Sequence, residues 1–78
     1  MAHEDAKSEP TDRLIDEMIE AQRARLASIA RRIQPDLTAE DLLQPHDHPR
    51  IAASPEFNFE DGILAGYLAV RAALRANR

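Results

Sequence analysis

The residues of this chain best suited to chemistry stand in one short segment, His46-Asp47-His48, between two prolines. Two imidazoles with a carboxylate between them are ligands that zinc, nickel and copper accept. The carboxylates that could complete such a site are Glu40, Asp41 and Glu56. A structural zinc ion requires four ligands, and no second cluster in the chain has a recognisable ligand spacing. We therefore expect a structural or solvent-facing segment without a cofactor, and keep a metal-binding or sensor function of His46 and His48 as an alternative.

Catalysis has little support in the sequence. The atoms of a Ser-His-Asp triad occur in Ser54, His46 or His48, and Asp47, but all four residues belong to one segment. A triad needs three groups held by different elements beside an oxyanion hole. The Glu-x-x-His motif of di-iron helical bundles is absent from the sequence. We therefore expect the protein not to be an enzyme.

Arginines are concentrated in residues 21–34 and 62–78, two stretches without any acidic residue. The four arginines of residues 21–34 surround a helix at about 100° per residue, so they do not form one basic face. The net charge of −4 also opposes binding to a phosphate backbone. We therefore expect no nucleic-acid binding, and keep a small regulatory partner, such as an antitoxin-like protein, as a second alternative.

The helical segments must position any site, and residues 59–76 are the most informative of them. At about 100° per residue, their large side chains form one stripe and their small residues a neighbouring stripe. The large stripe consists of Phe59, Ile63, Tyr67, Val70 and Leu74, and the small stripe of Gly62, Gly66, Ala69, Ala73 and Ala76. A helix apolar over so much of its circumference needs cover on two sides, and the chain has one other long helix to offer. We therefore expect a homodimer with Gly62, Gly66, Ala69 and Ala73 at its interface.

Gln22 is a polar residue in the middle of the apolar stripe of the first long helical segment. A buried polar side chain can fix the register of a helical bundle, as it does in coiled coils. We therefore assign Gln22 to the dimer interface, with an amide at the rim in solvent as the alternative.

Length and composition limit the fold. A chain of 78 residues forms one small domain whose core is marginal on its own. The chain has no cysteine, so disulfides and cysteine-ligated zinc are excluded. Residues 1–9 are charged and small and are expected to be a disordered tail, with residues 10–78 as a single helical domain. The chain has no signal-peptide core and no apolar run of about 18–20 residues, so we expect a cytoplasmic protein with no membrane partner.

Capping and proline signals predict helices at about 11–33, 39–44 and 56–76. The indicated N-termini are Thr11, a capping box of Thr38 with Asp41, and Ser54 or its competitor Asn58. Pro35 and Pro45 should end the first two helices, and residues 45–49 should be extended or turn-like. Each long helix begins acidic and ends basic, which suits its own dipole and also an antiparallel neighbour. The expected fold is an all-α antiparallel hairpin of two long helices, with a short third helix in a proline-rich crossover, pairing into a dimeric four-helix bundle.

The crossover, residues 34–57, is long for so small a domain, and such loops are uncommon unless they are functional or disordered. It combines apolar residues with charged ones, so it could bind a protein partner. The candidate partner-binding residues are His48, Arg50, Ile51, Glu56 and Phe57. The alternative is that the apolar residues of the crossover only cover the open end of the bundle. The best functional expectation is a small non-catalytic helical interaction protein that acts as a homodimer.

Overall fold

The computed structural model of the protein describes residues 10–77, and within them every regular element is helical. Helix α1 is Pro10–Ile33, α2 is the four-residue helix Pro49–Ala52 and α3 is Pro55–Ala76. Two 3-10 turns, Asp41–Leu43 and Pro45–Asp47, precede α2 within the crossover. The tail expected at residues 1–9 lies outside the described residues.

The two long helices form an antiparallel hairpin. Near one end Arg71 Nη1 lies 3.1 Å from Asp16 Oδ1. Near the other end Arg32 Nη2 lies 3.0 Å from Glu56 Oε2. These ion pairs join the start of each helix to the end of the other, as the charge pattern predicts. The all-α hairpin of two long helices is therefore confirmed.

The core lies along the contact between α1 and α3 and beneath the crossover. Helix α1 contributes most of its predicted apolar stripe, although Met18 of that stripe is exposed. Helix α3 contributes Leu64 with the partly buried Tyr67, Leu68 and Leu74. The buried hydrophobic residues are Ile15, Ile19, Leu26, Ile29, Ala30, Leu37, Ile51, Phe57 and Leu64. The side of α3 that faces α1 is thus centred near Leu64 and Arg71, roughly a third of a turn from Phe59. Only part of the large stripe enters the core, because Tyr67 and Leu74 pack there while Phe59 and Val70 do not.

The crossover contains more helical turns than the sequence predicts. The helix expected at 39–44 is only the 3-10 turn Asp41–Leu43. The stretch 45–49, expected to be extended or turn-like, contains the 3-10 turn Pro45–Asp47, and the unpredicted helix α2 begins at Pro49. Proline explains the additional helical turns. It ends a preceding helix, and its fixed φ also suits the first position of the next one. Pro45, Pro49 and Pro55 each stand at such a first position.

Two predicted caps are confirmed. Thr38 N donates to Asp41 Oδ2 and Asp41 N donates to Thr38 Oγ1, both at 3.1 Å, so the box is reciprocal. At the start of α3, Ser54 Oγ accepts a hydrogen bond of 3.1 Å from Phe57 N. Asn58 is therefore not the cap, and its side-chain amide instead donates to Ala52 O. These bonds fix where α3 begins and hence which of its residues face α1.

Candidate interaction surface

A set of large apolar side chains lies on one side of the hairpin, where the other described residues cover them only in part. We call this set the open face and define it as Leu14, Met18, Phe59, Ile63 and Val70. Phe59 is 68% exposed, Val70 50% and Leu14 57%. Single exposed apolar residues are ordinary, but several on one side of a small protein mark an interaction surface.

Ion pairs locate the open face relative to the two helices. Arg25 Nε lies 3.7 Å from Glu60 Oε1, across one side of the hairpin. Met18 precedes Arg25 by seven residues, or two helical turns, and therefore projects from the same side of α1. On α3, Glu56 pairs with Arg32 on this same side. Ile63 and Val70 follow Glu56 at steps of seven residues, so they lie on the same side of α3 as Glu56. The same side of the hairpin therefore carries these two ion pairs near the crossover, with Phe59 close to them and the rest of the open face toward the far ends of the helices.

The two glycines of α3 have no packing reason among residues 10–77. A Cβ atom added at Gly62 or Gly66 would meet nothing within 4 Å. Glycine inside a helix costs about 1 kcal/mol relative to alanine. Tight packing inside the hairpin therefore does not account for either glycine. Ala69 and Ala73, the other predicted interface residues, are exposed on the same side of α3 as the glycines.

Residues of α3 at alternating four- and three-residue steps form a continuous line, which we call the seam. The seam consists of Phe59, Ile63, Gly66, Val70 and Ala73. All five lie within about 40° of Phe59 around the helix. This spacing is that of the contact positions in coiled coils. The large and small stripes predicted from the sequence place Phe59 and Val70 in one stripe and Gly66 in the other, so they do not reveal this line. The alternating spacing of four and three residues is the signal in the sequence that could have revealed it.

Gln22 lies inside the hairpin rather than on the surface where a dimer interface was expected. The residue is 7% exposed. Its amide nitrogen donates to the backbone oxygen and to Oε1 of Glu60, both at 2.8 Å. The polar residue in the stripe therefore links α1 to α3 of the same chain, and it fixes their relative position there.

The two histidines of the crossover contact different carboxylates. His46 Nε2 lies 3.1 Å from Asp61 Oδ2, and its ring packs edge-on against Phe57 with centroids 5.6 Å apart. His48 Nε2 lies 3.9 Å from Asp41 Oδ1, and its Nδ1 lies 3.4 Å from Gln34 Nε2. Among residues 10–77, no three His, Cys, Asp or Glu side chains form a group that could hold a metal ion. His46 thus connects the crossover to α3, whereas His48 contacts two residues of the crossover itself, and Asp47 between the histidines is exposed.

The capping box lowers the pKa of Asp41. The backbone N–H of Thr38, and secondarily its hydroxyl, hold the pKa of Asp41 below its usual value, and nearby His48 acts in the same direction. Hydrogen bonds to a carboxylate favour its charged form. Asp41 is therefore a structural acid of the crossover, tied to the turn that it starts.

The proposed partner-binding residues of the crossover have intrachain contacts. Ile51 and Phe57 are fully buried, so neither presents its side chain to a partner. Arg50 Nη2 donates to Ile33 O at 2.7 Å, and Glu56 pairs with Arg32. The contacts made by these residues fit the alternative that the crossover covers one end of the hairpin.

A second surface feature lies on the opposite side of the hairpin from the open face. It is a groove of about 410 Å³ between the two long helices and the crossover. Its apolar lining includes Leu26, Leu42, Leu43 and Phe57, and its polar lining includes His46 and Asp61. The crossover already occupies much of this side, so the groove exposes one large apolar residue, Leu43.

Comparison with models of protein families, with curated proteins and with solved structures found no significant match. Within residues 10–77, no helix has the length and apolarity needed to cross a bilayer. The function of this chain is therefore inferred from its own geometry.

Proposed function

We propose that the protein is a small non-catalytic interaction protein that acts as a homodimer through its open face. The observation that carries this proposal is the exposure of Phe59 and Val70 on the same side of α3. Together with Leu14 they place large apolar groups from both long helices on one side of the hairpin.

The hairpin is a single layer of helices, and a single layer covers only one side of each helix. Stable domains normally consist of two packed layers around a core. The crossover covers part of one side of the layer, through Leu42 and Leu43. The side that carries the open face has no such cover from residues 10–77. A second hairpin placed against it supplies the missing layer and forms a four-helix bundle.

Burial of the open face favours association. Burying a Phe, Leu, Ile, Val or Met side chain completely contributes about 1.5–3 kcal/mol. Only the exposed fraction of each side chain remains to be buried, so Phe59 and Leu14 contribute most. The glycines are consistent with the same use, because they permit close approach of a second backbone at Gly62 and Gly66.

The alternatives have less support from the described residues. Metal binding or sensing would require a third ligand near His46 and His48, which contact different carboxylates. A regulatory partner of different sequence, as in an antitoxin-like protein, would use the same open face and is distinguished by the mass of the purified protein. The cytoplasm is the proposed compartment, since a chain without cysteine suits reducing conditions.

A pair of matched variants tests the proposal. Val70→Arg places a charge on the open face, whereas Ala72→Arg places the same charge two residues away on an exposed position off that face. We expect Val70→Arg to convert the dimer to a monomer in size exclusion with light scattering, and Ala72→Arg to leave the dimer unchanged. Circular dichroism should show that both variants remain helical. A parent protein of monomeric mass, or equal loss of dimer in both variants, contradicts the proposal.

A further inference from the structure

We infer that the second copy packs antiparallel against α3, with the two-fold axis near residue 68 and the seam of each copy facing the seam of the other. This inference rests on the proposed homodimer and specifies its geometry. In it, Gly66 lies opposite Val70 of the second copy, and Ile63 lies opposite Ala73. Phe59 lies opposite Asn77, which continues the seam by one further step.

The spacing of the seam is symmetric under reversal. From Phe59 to Asn77 its steps are four, three, four, three and four residues, a series that reads the same in both directions. An antiparallel copy can therefore match every seam position in successive layers of a coiled coil. The centre of this series falls between Gly66 and Val70, which is close to the middle of α3.

The sizes of the opposed residues are complementary only in the antiparallel arrangement. Each of its layers combines a large residue with a smaller one, as in Ile63 with Ala73 and Val70 with Gly66. A parallel arrangement would place Phe59 against Phe59 and Gly66 against Gly66. The Phe59 layer would then be overpacked and the Gly66 layer would contain a cavity, and both lower the stability of the dimer.

The helix dipoles favour the same direction. Antiparallel packing opposes the dipoles of the two copies of α3, whereas parallel packing would align them. The charged residues of α3 do not distinguish the two directions, because Glu56, Glu60, Asp61 and Arg71 each pair with a residue of their own hairpin. The spacing of the seam thus permits the antiparallel direction, and residue size and the helix dipoles favour it.

Single cysteines test the direction and register, because the parent chain has none. Ile63→Cys and Ala73→Cys are made in separate chains that carry different tags, and the chains are mixed under mild oxidation. We expect disulfide-linked heterodimers in the mixture and no linked dimer from either variant alone. In the antiparallel register, two copies of residue 63 are offset by about 15 Å along the helix. That offset exceeds the limit of about 7 Å between Cα atoms for a disulfide.

A second seam pair and an off-seam control complete the test. Gly66→Cys mixed with Val70→Cys should also give linked heterodimers, so the test does not depend on the half-buried Ile63. Ala65→Cys mixed with Ala72→Cys occupies a similar level of the helix but points away from the seam, and should give none. Linked dimers from Ile63→Cys alone, or a dimer of correct mass without linkage in both seam mixtures, overturn the inferred geometry and leave the homodimer standing. A parent protein of monomeric mass overturns both.

Discussion

At the scale of single residues, the most informative positions are those whose identity the hairpin alone does not explain. Gly66 lies in the middle of α3 with open space around it, although alanine would suit a helix better. Gln22 is explained by contrast, since its amide donates two hydrogen bonds to Glu60. A buried polar residue that is satisfied within its own chain does not require a partner, whereas the open space at Gly66 leaves room for the proposed second copy.

Gly66→Leu should weaken the dimer without unfolding the chain. The added side chain meets nothing within the hairpin, but it would separate two closely approaching backbones at the seam. Ala65→Leu is the matched control, because it adds a similar bulk to an exposed position one residue away and off the seam. We expect the dissociation constant from sedimentation to rise at least about tenfold for Gly66→Leu, equivalent to about 1.4 kcal/mol. An equal affinity in the two variants would show that Gly66 is not in the interface.

At the scale of elements, the helices depend on local capping and on prolines at their first positions. The sequence predicts both long helices, the Thr38–Asp41 box and the Ser54 cap because each has a local chemical signal. It does not predict helix α2, because a proline that ends one helix can also begin the next. The sequence also does not show which stripe of α3 faces α1. That choice depends on long-range bonds from Gln22 and Arg71 to the other helix, which no local pattern contains.

Acidification should weaken the crossover through Asp41. Its pKa is lowered in the folded state, so its contribution is complete above the ordinary aspartate value and is lost as the pH falls below about 4. Asp41→Asn should therefore lower the urea midpoint at neutral pH, and the difference from the parent should shrink in acid. Asp47→Asn, at an exposed acid of the same crossover, is the control for net charge. An equal change in both variants would exclude the capping box as the cause.

At the scale of the whole molecule, the described chain is one layer of two long helices with a compact crossover at one end. The fold class could be predicted from periodicity and charge, because both are properties of the local sequence of each helix. The open face could not be predicted, because the exposure of its residues depends on how α1 and α3 are rotated relative to each other. Once that rotation is fixed, Phe59, Val70 and Leu14 remain in solvent, and a second hairpin is the simplest structure that covers them.

The mass of the unmodified protein in solution tests this account most directly. Size exclusion with light scattering at micromolar concentration should give twice the chain mass of 8.7 kDa, and dilution should convert the dimer to a monomer. A fully helical species of monomeric mass at every concentration would contradict the account, because the open face would then be stable in water without a second copy.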